Sequence, residues 1–282
     1  MNTTNATSED LSVNQTTDKT ICATCGTQYP ANKPLPELCP ICNNDRQYIG
    51  DDGQVWTSLA TLAKDRTIRF SQVHENLYDL RITPAFAIGQ RAFLILSESG
   101  NVLWDCLPFL DEPTVAFIQS KGGLNAIAIS HPHYYSLMAE WARIFNCPIY
   151  IHQHDAEWVQ KPSGHVQFWT GNQKALWDGM TIINTGGHFP GSCVLYLPDK
   201  SGKDSILTGD SIYVARDRRA VTFMYSYPNL IPLSKKDIEQ IRDRMADVPF
   251  DRIYGAFDGM IIAENGRAVF DASIQRYLKI VS

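Results

Sequence analysis

An α/β domain preceded by a small cysteine-held unit is the architecture this sequence predicts, and three observations carry it. Strand-like and helix-like segments alternate from Gly123 to His152; four of the seven cysteines form two C-x-x-C pairs; and three apolar strands run into histidine or aspartate. Alternation of that kind indicates a sheet with helices packed on its faces. A chain of 282 residues can hold one large domain and one small one around a sizeable core.

The elements follow in order. Residues 1–20 are rich in Asn, Thr and Ser and nearly free of apolar side chains, so they predict a disordered tail that cannot offset the entropy of ordering. Residues 21–50 shift to Cys, Pro and Gly, as ICATCGTQYP and then LCPICNNDRQYI, and form the first folded unit. The large domain is expected over 51–282. After a connecting stretch with the amphipathic WTSLATLAK, FAIGQRAFLIL and NVLWDC predict a hairpin about the Ser97–Gly100 turn. GLNAIAIS predicts a strand, YYSLMAEWARIF a helix and CPIYIH a further strand. MTIINTGG, CVLYLPD and SILTGD predict three more strands. A polar helix is expected over Ser234–Met245, a strand at DRIYGAF and a closing helix over Asp271–Val281.

The formal net charge of −5 and isoelectric point near 5.8 argue against a nucleic-acid partner or an anionic membrane surface, since either would want an excess of Lys and Arg. Neither a long apolar run nor the charged-then-apolar order of a signal peptide occurs. A cytoplasmic protein with no membrane contact is expected. Cys106, Cys147 and Cys193 lie scattered among apolar residues and are expected as buried free thiols, which suits a reducing compartment.

Cys22 and Cys25 with Cys39 and Cys42 present four thiolates at a spacing that suits one tetrahedral ion. Gly26 and Pro40 suit the tight turns of such knuckles, and the form resembles zinc ribbons and rubredoxins. A unit this short lies below the ~40 residues at which chains fold unaided, and structural zinc contributes on the order of 10–16 kcal/mol in such units. Structural zinc is the first expectation; a redox iron and a metal-free unit are the alternatives.

The strand GLNAIAIS ends in His131-Pro132-His133, MTIINTGG runs into His188, and SILTGD ends in Asp210. Ligands belong at the carboxyl ends of strands in an α/β sheet, and three histidines with a carboxylate are donors that zinc accepts. His152 and His154 are expected to be structural or near the pocket, and His74 and His165 to lie at the surface. The Arg216–Arg219 run is expected as a solvated loop.

From about Phe86 to its C-terminus the chain resembles the metallo-β-lactamase superfamily, on the hairpin, the strand ending in H-x-H, GGHFPGS and LTGD. The resemblance implies a four-layer αββα sandwich with its metals at one rim. It also implies His131, His133 and His188 as ligands of a first metal, with Asp210 the carboxylate beside them. The family motif H-x-H-x-D-H is here H-P-H-Y-Y-S, which puts Tyr135 and Ser136 where two ligands of a second metal belong; Ala256 stands near the place of its third. A single-metal site is therefore expected in the large domain, with zinc there and in the ribbon and iron the alternative ion in either.

A zinc-bound hydroxide at such a site would hydrolyse a small-molecule substrate: an ester, lactone, thioester or amide. Asp210 would orient the water, and Tyr135, or Tyr134 beside it, would donate a hydrogen bond to the oxyanion or leaving group. The alternative is a catalytically weak or inactive metal-binding module whose ribbon and pocket recognise a partner or ligand. Redox and nuclease readings need a paired-metal ligand set that is absent from this sequence.

Overall fold

The computed structural model describes residues 16–281, so the expected tail lies outside the described residues up to residue 15. Within residues 16–20 the Thr16 carbonyl accepts the Ala60 N–H at 3.1 Å and Thr20 is buried, while Thr17, Asp18 and Lys19 are exposed. Ile21–Cys22 (β1) pairs antiparallel with Trp56–Thr57 (β2). The cysteine unit thus runs past residue 50 and closes on its own first strand. Only Leu59–Leu62 (α1) of the amphipathic stretch is helical, capped where the Ser58 side chain accepts the Thr61 N–H.

Thr67–His74 (β3), Leu77–Thr83 (β4), Arg91–Ile95 (β5), Val102–Trp104 (β6), Ala126–Ala128 (β7), Ile149–His152 (β8) and Val166–Trp169 (β9) form a seven-stranded sheet in chain order. The first four are antiparallel. From β6 onward pairing is parallel, as it must be where Glu112–Ser120 (α2) and Met138–Phe145 (α3) carry the chain back across the sheet. Asp111 caps α2 by accepting the Thr114 N–H, and its second oxygen accepts the Ile68 N–H, tying the helix start to β3.

A second sheet takes Gln173–Ala175 (β10), Thr181–Asn184 (β11), Cys193–Leu197 (β12) and Ser205–Leu207 (β13). Two short hairpins follow, Tyr213–Val214 (β14) with Val221–Thr222 (β15) and Met224–Ser226 (β16) with Ile231–Pro232 (β17). After Lys235–Arg244 (α4), Arg252–Tyr254 (β18) pairs parallel to β13, Ile261–Ile262 (β19) forms the edge, and Gly266–Ile280 (α5) closes the chain. The sheet order is β10-β11-β12-β13-β18-β19.

Side-chain parity turns these sheets into four layers. Phe93, Ile95, Val102, Trp104 and Ala128 of the first sheet meet Ile182, Leu195, Leu207 and Tyr254 of the second in one buried cluster. Their neighbours Leu94, Leu103 and Ile127 face the other way, onto Ile118, Trp141 and Phe145 of α2 and α3. Val194, Ile206 and Ile253 likewise face Ile238, Ile241, Phe270 and Ile274 of α4 and α5. Central strands covered on both faces lose polar alternation. The order of layers is helix, sheet, sheet, helix, as expected, with the small cysteine unit added at one rim.

Candidate metal centre

β7, β11 and β13 end at the same rim, where backbone bonds lock the two sheets together. The Cys193 N–H of the second sheet donates to the Ser130 carbonyl of the first at 2.9 Å. Just past these ends the chain turns sharply and drops its polar residues into the seam. Gly209 is required for one of the turns: its φ is +51°, and a Cβ there would lie 2.4 Å from Ser130 Oγ. His131, His133, His188 and Asp210 are thereby gathered, all buried, with one donor atom from each within 4.8 Å of the others.

The cluster has the dimensions of a metal site. His188 Nε2 is 3.3 Å from His133 Nδ1, and His131 Nε2 is 3.5 Å from Asp210 Oδ2. Metal–nitrogen bonds of about 2.0–2.1 Å in a tetrahedron give edges of about 3.4 Å. His131 Nε2 has no hydrogen-bond partner among the described residues although it is buried, a costly state unless something is bound there. The outer ring atoms are held: His131 Nδ1 by Ser130 Oγ at 2.9 Å, and His188 Nδ1–H by the Met224 carbonyl at 3.1 Å. Asp105 Oδ1 accepts the Ser130 N–H at 2.7 Å behind them. Such outer contacts orient the rings and fix the tautomer.

Electrostatics prepare the same state. Burial, with His131 alongside, pushes His188 down to about 3, and burial pushes His133 well below the usual range, so both rings are neutral donors at physiological pH. Burial alone would raise Asp210; the close approach and charge of His131, the charge of His188 and the Tyr134 hydroxyl outweigh that and hold it below the ordinary carboxylate range. It is an ionised donor.

The expected role of Tyr135 does not fit this geometry. Its hydroxyl is buried and donates to the Asp155 carbonyl at 3.1 Å, away from the histidines, because the turn at Pro132–Tyr134 points successive side chains in different directions. Tyr134 takes the place beside the ligands, donating to Asp210 Oδ1 at 2.8 Å. Ser136 Oγ accepts from Gln90 Nε2 at 3.1 Å. Ala256 sits in a loop held by the buried Arg91, whose Nε donates to the Gly255 carbonyl at 2.9 Å and whose backbone N–H donates to the Ala256 carbonyl at 2.8 Å. His152 is buried with Nε2 on the Gly171 carbonyl at 3.0 Å, and Asp258 pairs with Arg81. Among the described residues, the rim gathers one ligand set.

The four ribbon cysteines form the other set, buried and free of disulfides. Cys22 and Cys42 Sγ are 3.7 Å apart, and Cys25 and Cys39 Sγ 3.8 Å. A tetrahedron with metal–sulfur bonds of about 2.3 Å has edges of about 3.8 Å, so the fit is close. Tyr29 Oη–H donates to Cys39 Sγ at 3.1 Å and Gln54 Nε2–H to Cys22 Sγ at 3.3 Å. Gly26, at φ +79°, lies so near Pro108 of the large domain that a Cβ would sit 2.3 Å from the Pro108 Cβ.

Sequence reasoning missed what this docking does. The ribbon supplies one wall of the cavity above the histidines, a space of about 590 Å³ into which Arg46, Gln47 and Tyr48 project opposite Ile88, Tyr213, Tyr227 and Phe257. No signal in the C-x-x-C spacing marks those residues, since their role depends on where the unit lands. Asp155 was also missed; its Oδ1 accepts the Gly191 N–H at 2.7 Å and so ties down the loop carrying His188.

No family model matches the chain. The uncharacterized protein YmaE of Bacillus subtilis (strain 168) is 44% identical over 265 residues, covering 93% of this chain and 96% of the relative. Among solved structures, the metallo-β-lactamase TMB-1 aligns at TM-score 0.57 and 14% identity over 76% of this chain and 96% of its own. FIM-1 of Pseudomonas aeruginosa, a metallo-β-lactamase in its mono-zinc form, aligns at 0.55 and 15% over 78% and 99%. At such identities the likeness is one of fold.

Proposed function

Starting from a chain that belongs to the family of YmaE and has the metallo-β-lactamase fold, we propose that it is a single-metal hydrolase acting on a small ester, lactone, thioester or amide. The observation that carries this reading is one complete His₃Asp set, three of whose members, His133, His188 and Asp210, line a cavity. Such a set fits a resident zinc ion, which when bound acts as a Lewis acid and brings the pKa of its water to ~7. The mono-zinc form of FIM-1 is a precedent in this fold for one-ion occupancy.

The chain's own residues then divide the work. His131, His133 and His188 would hold the ion, His133 and His188 as neutral rings. Asp210 would add the negative charge, and because Tyr134 occupies its Oδ1, Oδ2 is the oxygen left to act as a donor to the ion or to orient water. Tyr227 donates to the Asp210 carbonyl at 2.9 Å and keeps that turn in place. Ile88 and Phe257 give the cavity an apolar wall beside this floor. With Tyr135 in the position of the family aspartate, no second carboxylate shuttles protons, so modest turnover is expected.

The test is metal analysis of the purified protein beside a panel of activated esters, thioesters and lactones. Turnover should vanish with chelation and in His188→Ala. Turnover that outlasts both would remove the ion from the chemistry, and a fully loaded protein inert on every substrate would leave the binding-module reading in its place.

A further inference from the structure

We propose that the cavity selects substrates bearing an oxyanion group, a carboxylate or a phosphoryl, and that Arg46 of the ribbon is the residue that recognises it. The inference rests on the hydrolase reading above and names its substrate class. Among the described residues Arg46 is the one Lys or Arg side chain on the cavity wall, and Asp210 its one carboxylate. Asp210 is already committed to Tyr134 and the histidines. A divalent ion beside one carboxylate leaves positive charge at the base, and Arg46 adds more at the mouth, so the field inside favours anions.

Arg46 is also held as a receptor rather than left as a surface side chain. Its Nε donates to the carbonyl of His188 itself, and Nη1 donates to Asn44 Oδ1 at 3.1 Å. The guanidinium carbon lies 4.5 Å from the ring centre of Phe189 and 4.2 Å from that of Tyr225. Its carbonyl accepts from Ser226 Oγ at 3.1 Å. Among the described residues Arg46 forms no ion pair, and its Nη2 has no hydrogen-bond partner. A guanidinium fixed by two rings and two hydrogen bonds, with both N–H groups of Nη2 and one of the two on Nη1 still to be satisfied, has already lost the rotamer entropy that binding would cost. It matches the two oxygens of a carboxylate or phosphoryl group. A cavity of about 590 Å³ is of the size that takes a small organic anion.

The experiment titrates zinc-loaded full-length protein with succinate, inorganic phosphate and the neutral dimethyl succinate by calorimetry. At least one anion should bind at least tenfold more tightly than the neutral diester, and comparison of the two anions tells carboxylate from phosphoryl preference. Arg46→Met should weaken that anion at least tenfold at unchanged metal content, and Arg46→Lys should fall between, since it keeps the charge without the fork. If Arg46→Met loses metal, Arg46→Lys against wild type decides alone: a severalfold loss supports the proposal and none overturns it. Equal affinity of wild type and Arg46→Met also overturns it, because the anion then answers to the ion alone. Turnover of neutral esters without anion preference defeats this inference and spares the hydrolase reading; Arg46-dependent anion binding without turnover of any ester does the reverse.

Discussion

Tyr134 and Tyr135 are neighbours in sequence with separate duties, and a pair of variants separates them. Tyr134→Phe frees Asp210 Oδ1 from a 2.8 Å bond, and losing an outer contact of this kind weakens metal binding by about 10–100-fold; competition with a chromogenic chelator measures it. Tyr135→Phe removes only a bond to the Asp155 carbonyl, so metal affinity should hold while stability falls by about 1 kcal/mol. Equal loss of metal in both variants would sink the assignment. Asp155 supplies a pH test. Burial pushes its carboxyl from 3.8 up to about 7, so between these values the folded chain binds more protons than the unfolded one. Its contribution is therefore complete below about pH 4 and is lost as pH rises through about 7. Asp155→Asn lacks that titration, so its thermal midpoint should gain on wild type as pH rises from 4 to 8. A constant difference would show that Asp155 does not titrate as argued.

Among the elements, legibility followed burial. The β5–β6 hairpin, β7, β8 and β11 to β13 were plain because both faces of the central strands are covered, leaving apolar runs between turn residues. Ser234 to Met245 was read almost to the residue because Ser234 caps α4. The pair β3 and β4 was passed over: β3 is an edge strand with most side chains exposed, and β4 hides a charge, Asp79, that the buried Arg91 pairs at 3.3 Å. Helix α2 was missed behind Pro113, which sits in its first turn, where proline is tolerated, and α5 starts five residues before the expected Asp271. His131, His133, His188 and Asp210 were legible because each stands at the end of a strand with its turn residues beside it. The ribbon wall was not, because docking is a property of surfaces. Cys39→Ser should make residues 21–57 protease-sensitive, since metal supplies most of the folding free energy of so small a unit. A resistant fragment beginning near α1 should remain, because the sheets keep their own core. Loss of the whole domain, seen by mass spectrometry of the digest, would contradict this.

Across the whole molecule, two ligand sets predict two ions. Elemental analysis should give about two equivalents of metal per chain, falling to about one when His131 and His133 are both replaced by Ala and to about one when residues 21–57 are removed. Three equivalents would require donors that the rim does not gather among the described residues. Removal of the ribbon is also a statement about how this molecule can change. Ile21 and Thr57 are cross-strand partners, and residues 16–20 stay anchored through Thr16 and Ala60. The unit therefore leaves the domain and returns to it at one point, like a drawer in a frame. A short peptide bridging that point could replace the drawer without rerouting either sheet, and a different drawer could bring a different side chain over the same histidines. The histidine floor and the ribbon wall are thus separately heritable, and the wall can be exchanged at a single junction while the histidines beneath remain untouched.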